Sequence, residues 1–446
     1  MIPEDNYPRA LIINNLFSEK SGSGIFLGRL FTNWPVSKLA TICSGNLPPD
    51  WKKCRLHYRT GNLEFKLKAP FKWIFSNMAS CSVLPSFEKT SIVNTAEKKV
   101  SDNTLRYQNI FRKFLHFLGN EELFYDVGPS IELLEWVQKF QPEVIYGICS
   151  SLNSLLFLRS MQQNLCIPLV LHFMDDWPAS LYRHSLTAMM LRSRYLVQFS
   201  ELICSSDVAV AICKEMAEEY QHRYQRVVLT LPMPVELPPY QALVRKKWIA
   251  SKPFRIRYGG RVGWAIRDSL ADISEAVRSL RQDGFDVVFD ITTFQLEEVP
   301  KVCFSSNGVN VAIPGPLADL PRTQAEADVL IICYDFDQES FRQARYSMPS
   351  KMADCMASGT PILVYGPSNL PVVEYARRDG WGMVVDNRDA VALRGAIIEL
   401  MGSAALREHL GKTAKRLASN IHDANKVSES FYEIMRGASD KHRVVL

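Results

Sequence analysis

The residues best suited to chemistry lie just after apolar runs. In "FRIRYGGRVGWAIRD", Arg261 follows a Gly-Gly turn and Arg267 stands at a helix start. Arginine stays charged and can fork onto phosphate oxygens. In "RYSMPSKMADCMASG" (345–359), Pro349 suits a first helical turn, Met348 or Ser347 would cap it, and Gly359 ends it. Free N–H groups at such a start attract phosphate, and Ser347, Ser350 and Lys351 add hydroxyls and a charge. In "VLHFMDDWP", His172, Asp175 and Asp176 follow another apolar run, where they could orient a hydroxyl or take its proton. The loop Ser21, Gly22, Ser23, Gly24 lets a ligand approach backbone. Each feature has a plain structural alternative: a strand-end histidine satisfied by a neighbour, an aspartate capping "WPASLYRH", an arginine capping a loop, an ordinary βα connection.

These loops must be held by the elements before them. "ALIINNLF", "LATICSG", "PEVIYGICS", "PLVLHFMDD", "DVAVAIC" and "VVLTLPM" are short apolar runs, mostly separated by helical stretches such as "IELLEWVQKF". After five prolines between 231 and 253, the alternation resumes with "FRIRYGG", "FDVVFDITT", "VNVAIPG", "ADVLIICYD", "TPILVYG" and "GMVVD". Apolar strands alternating with helices predict parallel sheets covered on both faces. The pattern predicts an α/β chain with two doubly wound, Rossmann-like domains facing a cleft, with ligands at the carboxyl ends of the strands.

The chain has 446 residues, 47% apolar and 22% charged, with a net charge of +5. No apolar run is long enough to cross a membrane, and the start lacks a signal-peptide pattern. Ten cysteines show no C-x-x-C pair, which argues against zinc and for reduced, buried thiols in the cytoplasm. Residues 51–75 carry five Lys and two Arg against one acid, interleaved with Trp51, Tyr58, Phe65, Phe71, Trp73 and Phe75. That mixture suits an anionic membrane surface at the inner face of the cell membrane; the alternative is a solvated basic face over buried aromatics. The near-neutral remainder argues against nucleic acid. No G-x-G-x-x-G follows the first strand of either half and no G-x-x-x-x-G-K-[ST] occurs, so neither a nicotinamide enzyme nor a P-loop nucleotidase is supported.

The order "YGGRVGWAIRDSL", "AIPGPL", "ADVLI", "SMPSKMADCMASGTPIL" and a long helical tail resembles the donor half of family-4 retaining glycosyltransferases of the GT-B fold. "VLHFMDDWP" followed by "SSDVAVAICKEMAEEY" resembles their acceptor half. The likeness covers about 8–45 and 130–430. It implies an acceptor domain over 1–235 with an irregular insertion at 46–130, a linker at 236–253, a donor domain over 254–425, and a helix and tail at 426–446. It implies transfer of a sugar from a UDP- or GDP-sugar to a glycan or lipid-linked acceptor in surface polysaccharide assembly, with no other cofactor and no metal. Arg261 matches the first residue of the family's basic pair, and Arg267 is one residue off the usual spacing for the second. Asp354 falls where the family's second glutamate holds the ribose, and Tyr346 replaces the first glutamate. Ile313, in "VNVAIPGP", would offer backbone to the nucleobase. The competing expectations are a non-catalytic GT-B module that binds glycan or a partner enzyme, and a GT-B nucleotide-sugar epimerase.

Overall fold

The computed structural model describes residues 2–45, 47–68, 82–83, 121–183, 186–243, 248–263 and 265–445. The first half supplies β1 (Ala10–Ile13), β2 (Leu39–Cys43), β3 (Leu56–Arg59), β4 (Phe65–Leu67), β5 (Ser82–Val83), β6 (Tyr125–Val127), β7 (Val144–Gly147), β8 (Leu169–Phe173), β9 (Val208–Ala211) and β10 (Val228–Thr230). The second supplies β11 (Phe254–Gly259), β12 (Val287–Thr292), β13 (Val309–Ala312), β14 (Val329–Cys333), β15 (Ile362–Tyr365) and β16 (Met383–Val385). One sheet has the order β10-β9-β8-β7-β1-β2-β3-β5 and the other β13-β12-β11-β14-β15-β16. All their pairings are parallel except β3 with β5, which run antiparallel.

Burial explains the composition of the strands. β1, β2, β7, β8, β14 and β15 are buried along their whole length, as strands covered on both faces must be. β11 alternates instead, and its outward Arg255 and Arg257 both meet Asp290 of β12. Strand order reverses at β1 in one sheet and at β11 in the other. The loops after these two strands, holding Ser21–Gly24 and Arg261, therefore open where such sheets bind ligands.

The stretch 46–130 was expected as an irregular insertion. Its first part instead extends the main sheet: β3 pairs with β2 from Ala40–Leu56 to Cys43–Arg59. β4 and β6 form a separate antiparallel ribbon. Of the six aromatics in the basic segment, the three within the described residues pack on protein. Trp51 stacks edge-on against His57, Tyr58 lies against Trp136, and Phe65 against Phe157. Phe71, Trp73 and Phe75 lie outside the described residues. Among the described residues no helix is long and apolar enough to cross a membrane.

The chain crosses between the domains twice, side by side. Val235 donates its N–H to the His422 carbonyl at 2.7 Å, and Ala424 donates to the Val235 carbonyl at 2.9 Å. The last helix, Ala424–Val445, then packs on the first domain. Phe431 meets Phe31, Trp34 and Tyr146, while Tyr432 meets Tyr7 and Trp34. The tail thus completes the amino-terminal core. That core continues into the second domain through Tyr346, Met352 and Met356.

Candidate active site

Two helix starts meet across the cleft. The helix Gly22–Leu30 follows β1, and Ser21 caps it by accepting the Gly24 N–H at 3.0 Å. Gly24 is required here: a Cβ would stand 2.4 Å from the Ser18 carbonyl oxygen and 2.6 Å from its nitrogen. The helix Lys351–Ser358 follows β14 and ends at Gly359, whose φ of 67° suits glycine. Its cap is Ser350, not Ser347 or Met348, and the Ser350 hydroxyl makes no capping bond. A Cβ on Gly22 would lie 3.8 Å from Ser350 Oγ, so the exposed Gly22 faces Ser350 directly. Both helices present unpaired N–H groups and positive dipole ends to one space.

Lys351 heads the second helix. Its Nζ lies 3.4 Å from the centroid of the Tyr258 ring. That nitrogen is buried with no hydrogen-bond partner among the described residues. Burial pushes its pKa down to about 8. A desolvated ammonium over an aromatic face, without a hydrogen-bond acceptor, suits an incoming anion. Arg261 is exposed at the end of β11, and its charge acts on Asp175 across the cleft. Ile313, 60% exposed, ends the edge strand β13 on the same carboxyl side of the sheet.

The expected acceptor-side trio separates. Only Asp175 is exposed at the cleft. It accepts a 2.7 Å hydrogen bond from Ser347 Oγ. The crowding of nearby protein raises its pKa; the Ser347 bond and Arg261 oppose that rise. Asp176 is buried and committed elsewhere, because Arg223 clamps both its oxygens at 3.0 and 3.2 Å and Tyr220 adds a bond at 3.1 Å. His172 is fully buried between Phe26 and Tyr146, with Nδ1 2.8 Å from the Tyr146 hydroxyl. Desolvation drops its pKa to about 3, and its Nε2 is buried without a hydrogen-bond partner among the described residues. For both residues, burial wins over position at a strand end.

Two donor-side expectations also change. Arg267 pairs with Glu298 at 3.3 Å on an exposed face, so its charge is already answered. Asp354 is buried and gripped from the opposite domain. Arg29 donates Nη1 to Oδ2 at 2.8 Å and Nη2 to Oδ1 at 2.7 Å, and Tyr240 of the linker donates to Oδ1 at 2.8 Å. Both carboxylate oxygens are thereby engaged by the clamp between the domains. Tyr346, where the family has its first glutamate, is largely buried against the first domain, with Cys213 Sγ bonded to its carbonyl at 3.4 Å. Arg29 and Tyr240 were not anticipated. The available signal for Arg29 was one charge inside the apolar run "IFLGRLF", since a charge carried into a core needs a partner.

Two parallel-sheet domains with ligand loops facing one cleft, joined by paired crossings, define the GT-B architecture. Sucrose-phosphate synthase from Thermosynechococcus elongatus superposes with a TM-score of 0.61 at 12% identity, over 97% of this chain and 100% of that one. Anabaena HepE, solved with UDP and glucose, gives 0.60 at 11% identity over 96% and 99%. The E. coli trehalose-6-phosphate structure bound with UDP-2-fluoro glucose gives 0.56 at 9% over 96% and 99%. At these identities the likeness establishes the fold, and activity must be argued from the site. No protein-family model and no curated protein sequence matches the chain.

Proposed function

We propose that this chain is a retaining glycosyltransferase that takes its sugar from a UDP- or GDP-sugar. The observation that carries this is the buried, unpartnered Lys351 Nζ beside two facing helix starts, at Gly22–Ser23 and Ser350. A diphosphate matches that arrangement in charge and in its need for N–H donors. Arg261 adds a second cation, and Ile313 offers backbone for the base at the edge strand. During transfer the bond from the sugar's anomeric carbon to the diphosphate breaks. Charge accumulates on the leaving phosphate, where fixed donors and Lys351 stabilise it. The acceptor oxygen bonds to the anomeric carbon from the same face, and its proton passes to the leaving phosphate oxygen. Asp175, the one member of the expected trio facing the cleft, orients the acceptor hydroxyl. The solved neighbours HepE and the E. coli protein carry UDP or a UDP-sugar, which supports a uridine donor here. A glycan or lipid-linked acceptor in surface polysaccharide assembly, at the cytoplasmic face of a membrane, is the setting we propose. The test is calorimetric titration with a panel of UDP- and GDP-sugars, repeated with Arg261→Ala and Lys351→Met. Binding lost in both variants supports the site; no response to any nucleotide-sugar defeats it.

A second reading, a GT-B module that binds without catalysis, draws on the occupied Asp354 and on Tyr346 at the other acidic position. Donor binding with neither transfer nor hydrolysis would favour it.

A further inference from the structure

One surface helix carries apolar residues on both of its faces. The helix Leu186–Ser205 lies between β8 and β9 in the chain. Ala188, Leu191, Tyr195, Phe199 and Leu202, three or four residues apart, make its buried face. The last four of these belong to the amino-terminal core. The opposite face of such a helix is ordinarily polar. Here Met189, Met190 and Val197 stand outward, 59%, 72% and 56% exposed. Met190 and Val197 are two turns apart and Met189 adjoins them, so the three share one strip about 12 Å long, with exposed Ser193 and Arg194 between them.

The charges around that strip have one sign. From Leu181 to Ser200 the chain has three arginines, Arg183, Arg192 and Arg194, and no acid. Arg183 and Arg194 are exposed, and Arg192 is half-buried with its guanidinium on the Leu181 carbonyl at 2.8 Å. The first acid, Glu201, comes near the far end of the helix and pairs with Arg159. The strip also has a definite place. β8 ends at Phe173, and β9, parallel to it, begins at Val208. The helix between them therefore runs from the carboxyl edge of the sheet, where Asp175 faces the cleft, to the opposite edge. Met189 and Met190 lie within its first two turns, at the cleft end. By contrast, the described aromatics of the basic segment 51–75 pack on protein.

We propose that the helix Leu186–Ser205 is the membrane-contacting element of this protein. Met189, Met190 and Val197 enter the interfacial layer of an anionic bilayer, while Arg183 and Arg194 meet lipid phosphates beside them. An interfacial helix binds in this way, with a short apolar strip at the acyl boundary and cations among the headgroups. A stable protein interface takes roughly 20–30 residues a side, far more than this strip presents. The contact sets the acceptor side of the cleft against the lipid surface. It rests on the reading above only for a lipid-linked acceptor, since lipid binding needs no nucleotide.

The test is flotation of the full chain with vesicles of phosphatidylcholine alone and of phosphatidylcholine with phosphatidylglycerol. The chain should float with the mixed vesicles and stay behind with the neutral ones, and added salt should release it. The pair Met189→Gln, Met190→Gln should weaken binding at least about tenfold, and Arg194→Gln about fivefold. All three side chains are exposed, so thermal midpoint and UDP affinity should stay unchanged. Lys52→Gln with Arg55→Gln, in the basic segment, should bind mixed vesicles within about twofold of the parent. No binding to mixed vesicles, equal binding to both kinds, binding undiminished by the methionine pair, or loss confined to the Lys52 and Arg55 pair overturns the proposal. So does a dimer in lipid-free solution that the methionine pair dissolves, which would give the strip to a second copy. Vesicle binding that survives while no nucleotide-sugar binds defeats the transferase reading and leaves the membrane surface standing; the reverse result defeats the membrane surface alone.

Discussion

Breaking the Arg29–Asp354 clamp should loosen the two domains without abolishing recognition of the nucleotide. The side chains are only 13% and 7% exposed, and their two parallel bonds measure 2.7 and 2.8 Å. Removing one partner of a buried ion pair typically costs about 3–5 kcal/mol, because the other charge stays buried and unanswered. Arg29→Gln leaves Asp354 with the Tyr240 hydroxyl, so the lower end, about 3 kcal/mol, is expected. Asp354→Asn leaves Arg29 with an amide oxygen and a long 3.5 Å contact to the Pro234 carbonyl. Its cost should be about 2–3 kcal/mol, since one acceptor survives. The double variant should cost less than the sum, with a coupling of about 1.5 kcal/mol or more. Urea unfolding of the four proteins, followed by fluorescence and circular dichroism, measures this cycle. The same variants address the ribose. If Asp354 serves the clamp, UDP and 2′-deoxy-UDP should bind within about threefold of each other, a difference under 1 kcal/mol. Additive costs, or a tenfold preference for UDP that vanishes in Asp354→Asn, would refute the reasoning and return Asp354 to the ribose.

Lys351→Met should stabilise the free protein at neutral pH while removing nucleotide binding. The folded lysine titrates near 8 rather than 10.5, so its burial cost, about 3 kcal/mol, is full below pH 8 and is relieved as pH rises towards 10.5. Unfolding curves across pH 7–10.5 check the sign: the gap between variant and parent should shrink as pH rises. Donor affinity should run the other way in the parent, holding below pH 8 and falling above it as the ammonium is lost. Gly24→Ala should be severely disruptive, because its Cβ would meet Ser18 backbone rather than a side chain that can turn away; a fall in thermal midpoint together with lost donor binding is expected. Phe431→Ala should cost about 3–5 kcal/mol and unfold the amino-terminal domain first, since Phe31, Trp34 and Tyr146 lose a shared partner; hydrogen exchange resolved by domain would show this.

The linear sequence determined the strands and the loops after them. Runs such as "VLIIC" and "ILVY" are apolar along their full length because both faces are covered, and that pattern needs no tertiary knowledge to read. The order of strands and helices placed Ser21–Gly24, Arg261 and Lys351 at one cleft for the same reason, since parallel strands put all their carboxyl ends on one side. Weak periodicity hid β3, a four-residue strand inside a basic segment in which only the middle two residues, His57 and Tyr58, are buried.

Which polar side chains remain free was decided only in three dimensions. His172 and Asp176 stand at a strand end like Asp175, yet Phe26 and Tyr146 enclose one and Arg223 takes the other. Asp354 is gripped by Arg29, 325 residues earlier in the chain, a pairing no local spacing encodes. The last helix returns to the first domain because its aromatic face finds Phe31, Trp34 and Tyr146 uncovered there. Periodicity reports which face of an element is buried; only the fold reports what lies against that face, and hence which charges are already answered and which still await a ligand.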